Sequence, residues 1–148
     1  DVNINKKETH RESDTFEAGK NISLLNINTI NIGFTICYDL RFPNLFRKLA
    51  QRGAQIILMP AAFTVPSGKA HWEVMLRSRA IENSLFVVAT GMCGKHHTNR
   101  KTYGHSLLVN PWGKIISKAK EKPKILNTNI NLDEIEHVRN KIPAILND

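Results

Sequence analysis

The residues best suited to covalent chemistry are Cys37 and the polar side chains that follow it, Tyr38, Asp39 and Arg41. Residues 30–38 are largely apolar and β-branched, which predicts a buried strand, and the segment after them has helical spacing. A strand that ends in a turn and a helix presents a thiol at a sheet edge, with backbone N–H groups beside it for an oxyanion. Cys37 is therefore a candidate nucleophile, and the Tyr38 N–H is the local candidate for the oxyanion donor.

The competing interpretation is that Cys37 is a small core hydrophobe, which is the usual position of a free cysteine. Generic physics favours this interpretation, but the polar side chains directly after the buried strand weaken it, because they are costly to bury unless they are satisfied. A free thiol has a pKa of about 8.5 and needs roughly 2.7 kcal/mol of stabilisation from a neighbouring cation or base to become mostly thiolate at pH 7. Asp39 and Arg41 are the local candidates, but they could equally pair with each other.

Two arrangements of histidine suggest other chemistry. His71 is a candidate partner for Cys37 in a cysteine–histidine dyad, as in a thiol peptidase or acyltransferase, although its place in a predicted helix favours a structural role. One cysteine and three histidines suggest zinc: Cys93, His96, His97 and His105. Their spacing contains no C-x2-C or H-x3-H pair and no carboxylate stands near them, so we expect no metal.

The elements that must position these residues alternate between strand and helix. Besides residues 30–38, the apolar pattern predicts strands at 55–59, 85–90 and 125–132, and a hairpin at 106–117. This order predicts an α/β fold with a layered sheet.

Two helices precede and follow the second strand. Residues 43–53 begin with proline and end with glycine, as helices commonly do. Residues 69–83 have the clearest helical spacing, and Glu73 and Arg77 can pair across one turn of this helix. One apolar stripe runs along it: Trp72, Met75, Leu76 and Ala80. A short helix begins at Asp133.

Composition excludes several classes of protein. The 148 residues fit one domain, and 41% hydrophobic with 23% charged residues is typical of a globular chain. The charge of +8 is scattered except at residues 114–124, where no aromatic side chains interleave, so we expect no nucleic-acid partner. No apolar run is long enough for a membrane span, and two cysteines favour a reducing cytoplasm. Residues 1–28 are polar with little periodicity, and residues 91–104 are predicted to be a loop.

Several motifs in one order resemble the nitrilase superfamily of carbon–nitrogen hydrolases, and within it the Nit-type amidases, first those of the deaminated-glutathione type and next those of the omega-amidase type. The nucleophile motif is Ile-Cys-Tyr-Asp-Leu-Arg-Phe-Pro at residues 36–43. The other matches are Glu-Ser-Asp-Thr-Phe at 12–16, Ala-His-Trp-Glu at 70–73, Arg-Ser-Arg-Ala-Ile-Glu-Asn at 77–83, Gly-Lys-His-His at 94–97, Tyr-Gly-His-Ser at 103–106 and Asn-Pro-Trp-Gly at 110–113.

The resemblance implies a four-layer α-β-β-α sandwich, of which this chain matches the C-terminal part. It implies hydrolysis of a small linear amide through a thioester on Cys37, with no cofactor and with a homodimer as the full-length enzyme. Glu12 matches a second glutamate that helps to position catalytic groups. We expect Arg41 and Glu73 to line the substrate site.

The departures from the family motifs bear on activity. The family's base glutamate and catalytic lysine lie upstream of the position of Asp1, so residues 1–148 match a partial hydrolase domain. Asn44 and Met92 replace a glutamate and a glutamine that are usual there. We expect the 148-residue chain alone to be inactive and to self-associate through exposed apolar faces. The alternatives are a split fragment, a non-catalytic remnant, and a thiol acyltransferase.

Overall fold

The computed structural model describes residues 2–5, 8–97 and 100–147. Within these residues, the strands form one six-stranded sheet and two separate antiparallel pairs. In chain order the strands are β1 (Val2–Asn5), β2 (Glu8–His10), β3 (Ser23–Ile27), β4 (Ile30–Phe34), β5 (Ile56–Ala61), β6 (Phe86–Gly91), β7 (Cys93–Lys95), β8 (Lys101–Tyr103), β9 (Leu107–Val109) and β10 (Ile115–Lys118).

The six-stranded sheet has a parallel centre and antiparallel margins. Its order is β10-β9-β6-β5-β4-β3, and β4, β5 and β6 run parallel. In the register, Ile32 lies opposite Ile56, and Ile56 lies opposite Phe86. Parallel strands need apolar residues on both faces, which explains the near-continuous apolar runs in these three segments. Their carboxyl ends consequently meet at one edge of the sheet.

The helices that flank this sheet differ in length and type. The α-helices are α1 (Pro43–Gln51), α2 (Val65–Ser67), α3 (Glu73–Asn83) and α4 (Asp133–Lys141), and a π-helical segment, Gly68–Trp72, joins α2 to α3. Short 3-10 helices occur at Glu12–Asp14, Cys37–Arg41 and Ala144–Leu146. Gly53, with φ of +89°, directly follows the C-cap of α1, where a left-handed residue ends a helix. Within the described ranges, no helix is long and apolar enough to cross a bilayer.

The main core lies between the sheet and helices α1 and α3. Phe46 and Leu49 of α1 and Leu76 of α3 are fully buried there. A second cluster on the opposite face includes Ile56, Phe86, Leu108 and Ile135 of α4. The α/β layering is therefore confirmed, with helices on both faces of the sheet.

The second face of the sheet is covered only in part. At its β3 and β4 side, Leu25, Ile27 and Phe34 remain 50%, 45% and 36% exposed. We call these three residues the open face. Large apolar side chains gathered on one sheet face are typical of a surface that another layer covers.

The predicted helices agree with the structure. The helix at 43–53 is confirmed as α1, and the one at 69–83 is confirmed within a continuous helical segment from Val65 to Asn83. The stripe on the latter faces the core, since Trp72 and Leu76 are at most 1% exposed. The hairpin at 106–117 is confirmed as the antiparallel pair β9 and β10.

Two local predictions were wrong. Residues 125–132 form no strand in the structure, and Ile125 is 92% exposed because nothing packs on it. Residues 91–104 are not simply a loop, since β7 and β8 pair there. Residues 1–28, for which no strand was predicted, contain β1, β2 and β3. A strand at the margin of a sheet is held by hydrogen bonds to its partner strand, so it can form from a segment in which the apolar alternation is weak.

Candidate active site

Cys37 lies at the carboxyl edge of the parallel strands. The ladder continues one residue past β4, where the Thr35 N–H donates to the Leu58 carbonyl over 3.1 Å. The chain then leaves the sheet and enters the 3-10 helix Cys37–Arg41, which leads into α1. Open α/β sheets bind their ligands at this edge. The predicted arrangement of strand, turn and helix around the thiol is therefore present.

The backbone at Cys37 adopts a conformation that residues with a side chain rarely take. Its φ is +46°, in the left-handed region. Such strain costs on the order of 1–3 kcal/mol and persists where surrounding structure enforces it, frequently at active sites. The same kind of sharp strand-to-helix turn exposes the serine of α/β-hydrolases. The thiol is half-buried and packs beside the main core, so it is neither sealed nor fully exposed.

Two backbone N–H groups at the start of this turn have no hydrogen-bond acceptor among the described residues. They belong to Cys37 and Tyr38. Their neighbours are satisfied: the Ile36 N–H donates to Asp39 Oδ2 over 2.8 Å, and the Asp39 N–H donates to the Ile36 carbonyl over 2.9 Å. A pair of unused N–H donors beside a thiol is the arrangement that stabilises an oxyanion.

The alternative in which Asp39 pairs with Arg41 was wrong. Asp39 closes its own turn through the Ile36 N–H, which leaves Arg41 to reach across to the helical segment. The Arg41 guanidinium lies 3.4 Å from His71 Nδ1 and 5.5 Å from the centroid of the Phe63 ring. It also lies 5.7 Å from the centroid of the Tyr38 ring. Arg41 has no carboxylate partner within the described ranges.

His71 contacts Arg41 rather than Cys37. It is exposed in the π-helical segment, and no contact within residues 8–97 joins its ring to the thiol. The structural role is the one that this geometry supports. Irregular turns of this kind inside helices are frequent near functional sites, and here the turn carries the histidine that contacts Arg41.

Neither glutamate predicted for the site contacts Cys37 among the described residues. Glu73 pairs with Lys118 of β10, so the predicted pair with Arg77 was wrong. The reason is tertiary, because Arg77 is drawn instead to the Gly113 carbonyl, which accepts from its Nε over 2.8 Å. Glu12 is exposed in its 3-10 helix. Their roles at the site stay predictions.

Two of the four residues considered for zinc have other partners. His96 Nε2 lies 2.9 Å from Thr102 Oγ1, and His105 Nδ1 lies 2.6 Å from the Tyr103 carbonyl. The His105 ring also stacks on the Tyr103 ring with centroids 3.9 Å apart. In the part of the chain that the structure describes, no three metal-ligating side chains gather in one place.

The sequence analysis missed Arg79, which is buried and contacts the 3-10 helix that begins at Cys37. Its Nε and Nη2 donate to the Leu40 carbonyl over 3.1 and 2.9 Å, and its Nη1 lies 2.9 Å from Glu82 Oε1. A signal was present: Arg79 stands seven residues after Trp72, on the apolar stripe of its helix. A cation at a core position indicates a specific buried acceptor.

The chain matches a known family over almost its whole length. The model of the carbon-nitrogen hydrolase family matches residues 2–140. This chain belongs to the carbon-nitrogen hydrolase family. It is 42% identical over 136 residues to the deaminated glutathione amidase of Yersinia enterocolitica, covering 92% of this chain and 48% of that relative. This carbon-nitrogen hydrolase chain thus spans about half the length of the curated relatives that it matches.

Solved structures of the nitrilase superfamily share the fold of this carbon-nitrogen hydrolase chain. The Caenorhabditis elegans NitFhit protein superposes with a TM-score of 0.90 at 38% identity, covering 100% of this chain and 36% of that one. A variant of the Nesterenkonia amidase carries the acetamide moiety of fluoroacetamide on its active-site cysteine. It superposes with a TM-score of 0.70 at 27% identity, covering 76% of this chain and 43% of the amidase.

Proposed function

We propose that this chain supplies the nucleophile of a thiol amidase that hydrolyses small linear amides through Cys37. The observation that carries the proposal is the left-handed Cys37 turn at the carboxyl edge of the parallel strands. The two N–H groups of this turn that have no acceptor among the described residues also support the proposal. The labelled cysteine of the Nesterenkonia amidase is consistent with a covalent mechanism in this family.

The proposed reaction has two steps. The Cys37 sulfur attacks the amide carbon, and the carbonyl oxygen takes the negative charge while the N–H groups of Cys37 and Tyr38 donate to it. The C–N bond then breaks, and a thioester remains. The nitrogen takes up the proton that the thiol gave up and leaves as ammonia. Water attacks the thioester, releases the carboxylic acid and returns the thiol. The sum is amide plus water giving acid plus ammonia.

We also propose that the 148-residue chain alone does not turn over. The family resemblance assigns proton transfer to a glutamate and charge stabilisation to a lysine, and neither has a counterpart in these residues. Loss of one oxyanion-stabilising group typically lowers the rate by about a hundredfold or more. Measurable amide hydrolysis by residues 1–148 would contradict this. Reading the coding DNA upstream of Asp1 tests the related proposal that a longer enzyme carries both residues.

We propose that the substrate resembles deaminated glutathione, for which the relatives are named, and that Arg41 binds an acidic group on it. A half-buried guanidinium without a carboxylate partner among the described residues binds carboxylates well, because its fork matches their two oxygens. Labelling of Cys37 by an acidic acyl donor and by a neutral one of equal reactivity tests this. R41M should remove the preference for the acidic donor.

The central experiment measures which cysteine reacts. Mild iodoacetamide treatment followed by peptide mass spectrometry compares Cys37 with Cys93, which is also free and half-buried. Selective labelling of Cys37 supports a live nucleophile. Equal and slow labelling of both would overturn the proposal and favour a non-catalytic remnant. Products formed with added amines distinguish a hydrolase from an acyltransferase, since both use the same acyl-enzyme.

The assembly of the protein forms a separate proposal. We propose that the full-length enzyme is a cytoplasmic homodimer and that the helical segment with Val74 and Ile81 contributes to the interface. These side chains are 62% and 49% exposed on α3. Sedimentation of the full-length protein with and without V74E measures the dimer. The chain of 148 residues should self-associate through its open face, and a stable monomer in gel filtration would refute that expectation.

A further inference from the structure

We propose that Arg79 is a positioning residue that holds the Cys37 turn in its reactive conformation. The inference rests on the proposed function, because a positioned nucleophile matters only if Cys37 reacts. Arg79 touches neither the thiol nor a reacting atom. It acts on the backbone of the 3-10 helix Cys37–Arg41 through the Leu40 carbonyl.

The contact between Arg79 and the turn is bidentate. Nε and Nη2 donate to the same Leu40 oxygen over 3.1 and 2.9 Å, across 39 residues of chain. Leu40 is fully buried, so water cannot replace these bonds without opening the core. The Leu40 peptide lies three residues after Cys37, and a shift there changes the direction of the Cys37 and Tyr38 N–H groups.

Arg79 is itself held from three sides. Glu82 Oε1 lies 2.9 Å from its Nη1, and the Phe46 ring centroid lies 5.5 Å from its guanidinium carbon. Asn83 Nδ2 donates to the Arg79 carbonyl over 2.9 Å. The Arg79 side chain is only 8% exposed. A cation buried this deeply is costly unless its bonds are made, so the network has one favourable arrangement.

The strained backbone explains why such a support is needed. Cys37 has φ of +46°, which a residue with a Cβ adopts only when neighbouring structure enforces it. Arginine suits this role because its rigid fork offers two parallel donors, whereas lysine offers a point charge. The geometry therefore assigns the restraint on the turn to the Arg79 side chain.

The helix offers a matched control. Arg77 also donates its Nε to a backbone carbonyl, that of Gly113 over 2.8 Å, but Gly113 lies in the β9–β10 hairpin. R79M and R77M each remove hydrogen bonding from an arginine side chain to a backbone carbonyl. Only R79M removes it from the nucleophile turn. Circular dichroism and urea unfolding establish that each variant is folded before it is labelled.

The first measurement is the rate of Cys37 alkylation, with Cys93 as the internal reference. In R79M we expect the Cys37 rate to fall by about tenfold relative to Cys93, since small misplacements of a reacting group lower rates by this order or more. R79K should recover part of the rate, and R77M should leave the ratio unchanged. An unchanged ratio in folded R79M would overturn the proposal.

The second measurement does not depend on the reactivity of the thiol. Hydrogen–deuterium exchange of the peptide that spans residues 36–42 should be faster in R79M than in the wild type and unchanged in R77M. If R79M does not fold, R79K takes its place, because lysine keeps the charge but lacks the fork that makes both bonds to the Leu40 carbonyl. Exchange in folded R79K as slow as in the wild type would then refute the proposal. A failure of the proposed function is distinguishable from a failure of this inference, because it would appear as equal labelling of Cys37 and Cys93 in the wild type.

Discussion

The two cysteines of this chain stand in similar places and have different backbones. Cys37 follows β4 and Cys93 follows β6, so both lie past the carboxyl ends of parallel strands, and both thiols are free and half-buried. Cys93 belongs to β7 and pairs with Tyr103 in a regular antiparallel register. Cys37 opens a left-handed turn with two unused N–H donors. Residue type and exposure therefore do not distinguish the thiols, and backbone conformation does.

The largest expected effect comes from removing each thiol in turn. C37A should lower the yield of acyl-enzyme from an activated ester by at least about a hundredfold, because it removes the proposed nucleophile. C93A should leave the yield unchanged. Intact-protein mass spectrometry measures the adduct. An adduct that disappears in C93A and persists in C37A would reverse the comparison between the two thiols.

A smaller effect is expected from opening the Cys37 turn. D39A removes the acceptor of the Ile36 N–H, so we expect about 1 kcal/mol less free energy of unfolding and slower alkylation of Cys37. N131A is the matched control, because Asn131 Oδ1 accepts from the Asp133 N–H in the same way at the start of α4. Urea unfolding and labelling rates measure both quantities. Equal labelling in D39A and N131A would show that the turn tolerates the loss.

The smallest effect on Cys37 is expected from a substitution that disturbs the β7–β8 pair, which contains Cys93. In G91A the new Cβ would lie 2.1 Å from the Gly104 carbonyl oxygen, which forces the β7–β8 pair away from β6. We expect a loss of about 1–3 kcal/mol in the free energy of unfolding and faster labelling of Cys93, with the rate of Cys37 little changed. G19A is the control, since nothing lies within 4 Å of its added Cβ. Equal acceleration of both cysteines would contradict the independence of the two regions.

The secondary structure was predictable where the apolar pattern was strong. Helix α1 and the helical segment that ends at Asn83 follow from their spacing, and the strand before Cys37 follows from its β-branched run. The β3 strand escaped prediction because it lies at a sheet margin, where Leu25 and Ile27 are about half exposed. The β7–β8 pair escaped because its residues are polar and glycine-rich, and the pairing itself supplies the order.

The sequence predicted which residues near Cys37 belong to the candidate site, but it did not predict which side chains they contact. The position of Cys37 after a strand and the use of Asp39 within the turn are local properties. The partners of the long side chains are not local: Arg41 meets His71 across 30 residues, and Glu73 meets Lys118 across 45. The contact of Arg79 with Leu40 belongs to the same class.

The amino-acid sequence by itself determined that a thiol stands where an apolar strand gives way to a helix, and which helix faces are buried. Hydrophobic spacing decides these features because it acts over a few residues. The tertiary structure alone decided that Cys37 adopts a left-handed φ and that Arg79 donates to the Leu40 carbonyl in its turn. Both depend on how α1, α3 and the sheet pack, since strain and buried charge are stabilised only by a complete surrounding structure.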